Sequence, residues 1–134
     1  MKIKLDPKNT KKQFDIHICR AKENLEEAKI LLKEKSYRGA ISRAYYSFFE
    51  AANAALITKG LVAKTHAGVI QLFSLNFVKT NDVPAKFVRF FNRAREAREE
   101  ADYQFLKEFT GEETKIIIKT AEEFLKEIKE TFKN

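Results

Sequence analysis

Three residues within eight positions are able to do chemistry: Arg43, Tyr46 and Glu50, in the stretch Ser42-Arg-Ala-Tyr-Tyr-Ser-Phe-Phe-Glu50. On a helix, Arg43 and Glu50 stand two turns apart and project at nearly the same angle. Arginine offers a planar fork that holds two phosphate oxygens, and a neighbouring tyrosine can grip a base. A carboxylate serves as a general base where burial raises its pKa. Arg43 and Glu50 are therefore candidate catalytic residues, and Arg43 and Tyr46 candidate phosphate- or nucleotide-binding residues. The same spacing suits an ion pair between Arg43 and Glu50, within one chain or across a dimer axis, and spacing alone favours that reading.

Other reactive residue types fall at less telling positions. His66 follows Thr65, placed to cap the next helix, and a capping or turn role is expected of it. His17 and Cys19 are two apart on a helix, point in different directions and supply too few ligands for a metal. Arg98 and Asp102 have the spacing of a helix-stabilising ion pair. Arg89, Arg93, Arg95 and Arg98 make a basic edge that Glu96, Glu99 and Glu100 offset. There is no glycine-rich phosphate loop, no Ser-His-Asp set and no nucleophilic cysteine context. Neither a metal nor a cofactor is expected.

The elements that carry these residues are all helical by pattern. Asp6-Pro7 opens a first helix, whose stripe Phe14, Ile18, Ala21, Leu25, Ala28 and Leu32 recurs at steps of three and four. Ser36 is placed to cap a second helix running to about Lys59, with Gly60 as its stop. Thr65 opens a third, from His66 to about Lys79. The turn Asn81-Asp82-Val83-Pro84 starts a fourth, which turns Phe87, Phe90, Phe91, Ala94, Ala97 and Ala101 inward. Thr110 and Glu113 have the spacing of a capping box for a fifth. Short connections between amphipathic helices predict an all-α fold, an antiparallel bundle of four-helix type with an additional short helix. Residues 1–134 form one domain, with a short extension over 1–6.

The second helix differs from the others. Its core stripe is Tyr37, Ile41, Ala44, Phe48, Ala52 and Ala55, and the opposite side holds Gly39, Arg43, Tyr46, Ser47, Glu50 and Ala54. Lys and Glu fill the outer faces of the first and last helices, but this side is small and aromatic, with one Arg and one Glu. A helix that is weakly polar all round is buried all round. The six residues are therefore read as a subunit interface, most simply of a homodimer, with cover by the fifth helix as the alternative.

Composition bounds the rest. The chain has 134 residues, a formal charge of +7, two Pro and four Gly. Residues 1–35 carry ten Lys and Arg against six Asp and Glu, and residues 36–81 carry five against one. Such a basic half attracts nucleic acid or nucleotide phosphates, although a solvated face with i,i+4 pairs accounts for the charge more simply. Cys19 is the single cysteine, so no intrachain disulfide is possible. No signal peptide or membrane-spanning run stands out, and a cytoplasmic location is expected.

The stretch Tyr37-Arg-Gly-Ala-Ile-Ser-Arg-Ala-Tyr-Tyr-Ser-Phe-Phe-Glu-Ala-Ala52 resembles the signature helix of HEPN domains, with Ser42-Arg43-Ala44-Tyr45-Tyr46 as its most specific part. Ala28-x-x-Leu31-Leu32, Thr65-His66-x-Gly68 and Arg98-x-x-Ala101-Asp102-Tyr103 support the resemblance, which covers about residues 14 to 130. It implies a helical bundle that commonly dimerises and is often the small partner of a minimal nucleotidyltransferase in a toxin–antitoxin pair. Several members of that family are metal-independent RNases, in which an Arg is followed, after four to six residues, by a His. Arg43 matches the Arg, but position 50 is Glu. A carboxylate there would repel the phosphate it should serve, so the resemblance implies a partner-binding module rather than an efficient RNase. The alternatives are a metal-independent RNase toxin using Arg43, or a nucleotide-binding module.

Overall fold

The computed structural model describes residues 6–104 and 107–133. Of the leading extension over 1–6, residues 1–5 lie outside the described residues. Five α-helices follow one another: α1 (Pro7–Lys33), α2 (Tyr37–Ile57), α3 (His66–Phe73), α4 (Lys86–Tyr103) and α5 (Gly111–Thr131). The fold is all-α, as the periodicity predicts.

Local chemistry sets most of the boundaries. The Asp6 carboxylate accepts from the Asn9 backbone N–H at 2.9 Å, and Pro7 takes the first helical position, where no N–H is needed. At the end of α1, the Ser36 N–H reaches back to the Leu31 carbonyl at 2.8 Å and the Lys35 N–H to Leu32 at 2.9 Å. This is the double bond of a Schellman stop, with Lys35 in the left-handed region at φ 61°. Ser36 occupies the N-cap position of α2, but its hydroxyl makes no capping bond. Regular helix stops at Ile57, two residues before the expected end. Leu61 N–H bonds the Leu56 carbonyl and Gly60 N–H that of Ile57, both at 3.0 Å, with Gly60 at φ 68°. The capping box of α5 forms as expected, Thr110 and Glu113 exchanging two bonds of 3.1 Å.

The third helical run is not uniform. α3 gives way after Phe73 to a π-helical turn over Ser74–Val78. The wider turn leaves Phe73 and Phe77 both fully buried, ring centroids 5.2 Å apart. The Val83 N–H then closes onto the Phe77 carbonyl at 2.9 Å.

The hub of the bundle is α2, which packs against all four other helices. Phe48 on α2 stacks on Phe91 of α4 at 5.5 Å and meets Phe124 of α5 at 5.4 Å. Alanines on α2 and α1, such as Ala51, Ala52, Ala21 and Ala28, have no exposed surface. Helices meeting on such small side chains approach closely and pack densely.

The weakly polar face of α2 has a different cover from the one expected. α1, 27 residues and ~40 Å long, runs antiparallel along it. Ser47 donates its hydroxyl to the Ala21 carbonyl at 2.9 Å, and Ser47 and Ala54 are fully buried within the chain. These two residues have no surface left to give a partner. Both are covered within the chain, and at Ser47 the cover is α1, reached through Ala21. Gly39 is half-buried, and a Cβ placed there would sit 3.2 Å from the Leu31 side chain. Arg43, Tyr46 and Glu50 keep part of their surface.

At the far end of the bundle, Arg38 ties elements together. Its guanidinium donates to the Ala101 carbonyl, to the Gln104 carbonyl at 3.0 Å and to the Lys107 carbonyl. A cation at a helix C-terminus satisfies carbonyls that have no partner within the helix.

Candidate functional site

What remains open on α2 is a seam between α1 on one side and α3 with α4 on the other. Tyr46 lies at its centre. The Arg43 guanidinium carbon is 5.1 Å from the Tyr46 ring centroid, that of Arg98 from α4 is 5.4 Å away, and the His66 ring is 6.1 Å away. Three nitrogen-rich side chains from three helices thus surround one tyrosine.

The α1 side of the seam is closed by polar pairs. Arg43 donates to the Asn24 side-chain oxygen at 3.1 Å and stands 3.7 Å from the Glu27 carboxylate. Glu50 lies 2.7 Å from Nδ1 of His17, with both side chains mostly buried. Arg43 and Glu50 therefore pair with α1 and not with each other within the chain. The two do share a face of α2, as their spacing predicts, but polar residues of α1 reach each of them first. His17, set aside as a metal ligand, is in fact the partner of Glu50. The signal that finds it is the helical hairpin itself. A short turn at residues 34–36 lays α1 back along α2, so that 31 faces 39, 24 faces 43, 21 faces 47 and 17 faces 50.

The other side is aromatic and electropositive. Thr65 caps α3 by accepting from Gly68 N–H at 2.9 Å, so His66 is not the capping group. Its ring stacks on Phe49 at 4.5 Å, and its Nδ1 is 2.6 Å from the hydroxyl of the fully buried Tyr45. Burial pushes the Tyr45 hydroxyl up to about 12, against the opposing pull of Arg98 and Arg95. Burial first, and then the charges of Arg98 and Arg95, hold His66 below the usual histidine range. Tyr45 consequently keeps its proton, and its hydroxyl shares a short hydrogen bond with Nδ1 of His66.

Arg98 forms its expected ion pair with Asp102 at 3.4 Å. Its Nε is buried without a hydrogen-bond partner, a state that costs about 1–3 kcal/mol unless water or a ligand fills the gap. Elsewhere on the α4 basic edge, Arg93 pairs with Glu100 at 3.5 Å and Arg95 with Glu99 at 3.4 Å along the same helix. Among the described residues, no three His, Cys, Asp or Glu side chains gather as metal ligands, and no helix is long and apolar enough to cross a membrane.

Comparison with known proteins adds a lineage to this geometry. Residues 15–131 match the HEPN domain family. The chain is 41% identical over 126 residues to a Methanocaldococcus jannaschii protein named "Putative toxin MJ0605", a match covering 94% of this chain and 93% of that one. It is 42% identical over 106 residues to a Thermotoga maritima protein named "UPF0332 protein", covering 79% and 80%. A second M. jannaschii protein, "Putative toxin MJ0142", is 32% identical over 129 residues, covering 96% and 88%.

Proposed function

The chain belongs to the HEPN domain family, and from that premise we propose that it is the helical partner-binding half of a toxin–antitoxin-type pair in the cytoplasm. In this reading it forms a homodimer through the exposed part of the α2 seam and binds a minimal nucleotidyltransferase. The observation that carries it is the Glu50 carboxylate, fixed by His17 at 2.7 Å in the position where an RNase of this family would hold its histidine. Negative charge at that point opposes an incoming phosphodiester and suits a protein contact instead.

Light scattering tests the first half of the proposal. The expected solution mass is twice the 15.6 kDa of the chain, falling toward the monomer in Tyr46→Glu. Co-purification with a nucleotidyltransferase encoded beside it tests the second. A monomer that retains no such partner would overturn the reading.

His17 favours one further reading, a metal-independent RNase in which Arg43 holds phosphate charge and the His17 imidazole moves the proton. RNA cleavage in EDTA, abolished in Arg43→Ala and in His17→Ala, would move that reading to first place. Silence of the native chain with activity in Glu50→His would mean a scaffold that has exchanged catalysis for binding. Nucleotide binding at Arg43 and Tyr46 is checked in the same preparation by the rise in melting temperature on adding ATP or GTP.

A further inference from the structure

The apolar stripe of α1 is longer than the helix that covers it. Ala21 and Leu25 are buried, but α5 ends at Thr131, and the earlier stripe residues Phe14 and Ile18 are left partly open. With Phe132 they wall a groove of about 530 Å³ at the end of the bundle, floored by Thr58 at the close of α2. That volume lies in the range of about 300–1,000 Å³ typical of sites for compact apolar groups.

The rim of the groove is rich in lysine. Lys11, Lys129 and Lys133 line it, and Lys8 and Lys12 continue along the same flank of α1. The one acid on the rim, Asp15, is already held by Lys11 at 3.5 Å. Among the described residues, Lys8, Lys12, Lys129 and Lys133 have no carboxylate within ion-pairing distance. Apolar walls inside a lysine rim are complementary to apolar side chains flanked by Glu or Asp. The leading residues Met1-Lys-Ile-Lys-Leu5 carry two lysines and no acid, so their charge opposes this rim.

We propose that this groove docks an acidic amphipathic segment of a partner protein, its apolar side chains entering between Phe14, Ile18 and Phe132. The proposal rests on the partner-binding reading and assigns the contact to the end of the bundle, beyond the His17–Glu50 pair that closes the α2 seam.

The test uses the full chain and a fluorescein-labelled 14-residue peptide of Leu, Glu and Asp, with leucines at helical spacing, followed by anisotropy near physiological salt. Binding in the micromolar range is expected, with at least ~10-fold weakening for a scrambled peptide and no binding for a version with Lys in place of the acids. Phe14→Glu is expected to weaken binding at least ~10-fold, and so is Lys129→Glu combined with Lys133→Glu, which leaves the apolar wall intact if the first variant folds poorly. Lys115→Glu combined with Lys119→Glu, on the distant part of α5, is expected to change it less than ~2-fold.

Absence of binding, or equal loss in the distant pair, would overturn the proposal. Binding that appears only after removal of residues 1–5 would mean that the chain fills its own groove, and a concentration-dependent mass lost in Lys129→Glu/Lys133→Glu would mean that a second copy does. Peptide binding without a co-purifying nucleotidyltransferase would leave the groove standing and sink only the choice of partner.

Discussion

The α2 seam and the end groove use charge in opposite ways. In the seam each charged side chain has a polar partner: Arg43 with Glu27, Glu50 with His17, Arg98 with Asp102, Arg95 with Glu99. At the groove, four lysines stand without a carboxylate among the described residues, around side chains that α5 stops short of covering. Matched charges fix how helices sit against each other, whereas unmatched charges of one sign act at a distance on whatever approaches. The teaching is that a residue's company, more than its type, decides whether it builds the fold or serves a partner.

The most severe way to break the contrast is to remove what both regions hang on. Phe48→Ala, deep in α2 between Phe91 and Phe124, is expected to cost about 3–5 kcal/mol in chemical denaturation and to loosen seam and groove together. A sharper cut sets Glu50→Ala against Lys129→Ala. Losing the carboxylate that holds a mostly buried His17 should cost about 1–2 kcal/mol, while losing the exposed lysine should stay within about 0.5 kcal/mol. Equal effects would erase the distinction.

Lys35→Gly acts in the other direction. Glycine tolerates the φ of 61° at the α1–α2 turn, so the variant should be more stable by about 0.5–1 kcal/mol, seen as a raised melting temperature. The smallest effect is a pH dependence confined to the seam. His66 is held below its ordinary value of 6.5 in the folded chain, so the unfolded chain takes up the proton first. Stability is then full above that ordinary value and falls as the pH drops through it toward the lowered one. The fall should be shallower in His66→Gln, whereas groove variants should leave the profile unchanged. Tyr45, Tyr46, Phe49, Arg98, Arg95 and Glu99 are the groups that surround the ring, and none of them is altered in that comparison.

How much of this was legible in the sequence follows from the range of each interaction. Asp6-Pro7 and Thr110 with Glu113 announce helix starts because the bonded atoms lie within three residues, and the structure keeps both. The outer face of α2 was legible as buried and so was the apolar stripe of α1, but only the register of the hairpin shows that Ala21 of that stripe lies on Ser47. Ser47 and Ala54 were misplaced for that reason. His17 and Glu50 are 33 residues apart, and only the register of the hairpin joins them. The π-helical turn at Ser74–Val78 has no local residue that demands it; it arises from seating both Phe73 and Phe77 in a core built from elsewhere in the chain. His66 is similar, because its role comes from Tyr45 and Phe49 on another helix.

The guanidinium of Arg38 has a consequence in time as well as in space. Its carbonyl partners lie 63, 66 and 69 residues further along the chain, whereas α1 and α2 meet across a three-residue connection. Loop closure makes the nearby pairing quick and the distant one slow. The α1–α2 hairpin is thus expected to form first, and the Arg38 tie after the main barrier has been crossed. Replacing Arg38 with methionine should accordingly quicken unfolding and leave the refolding rate almost untouched, so that this one side chain governs how long the bundle lasts rather than how fast it assembles.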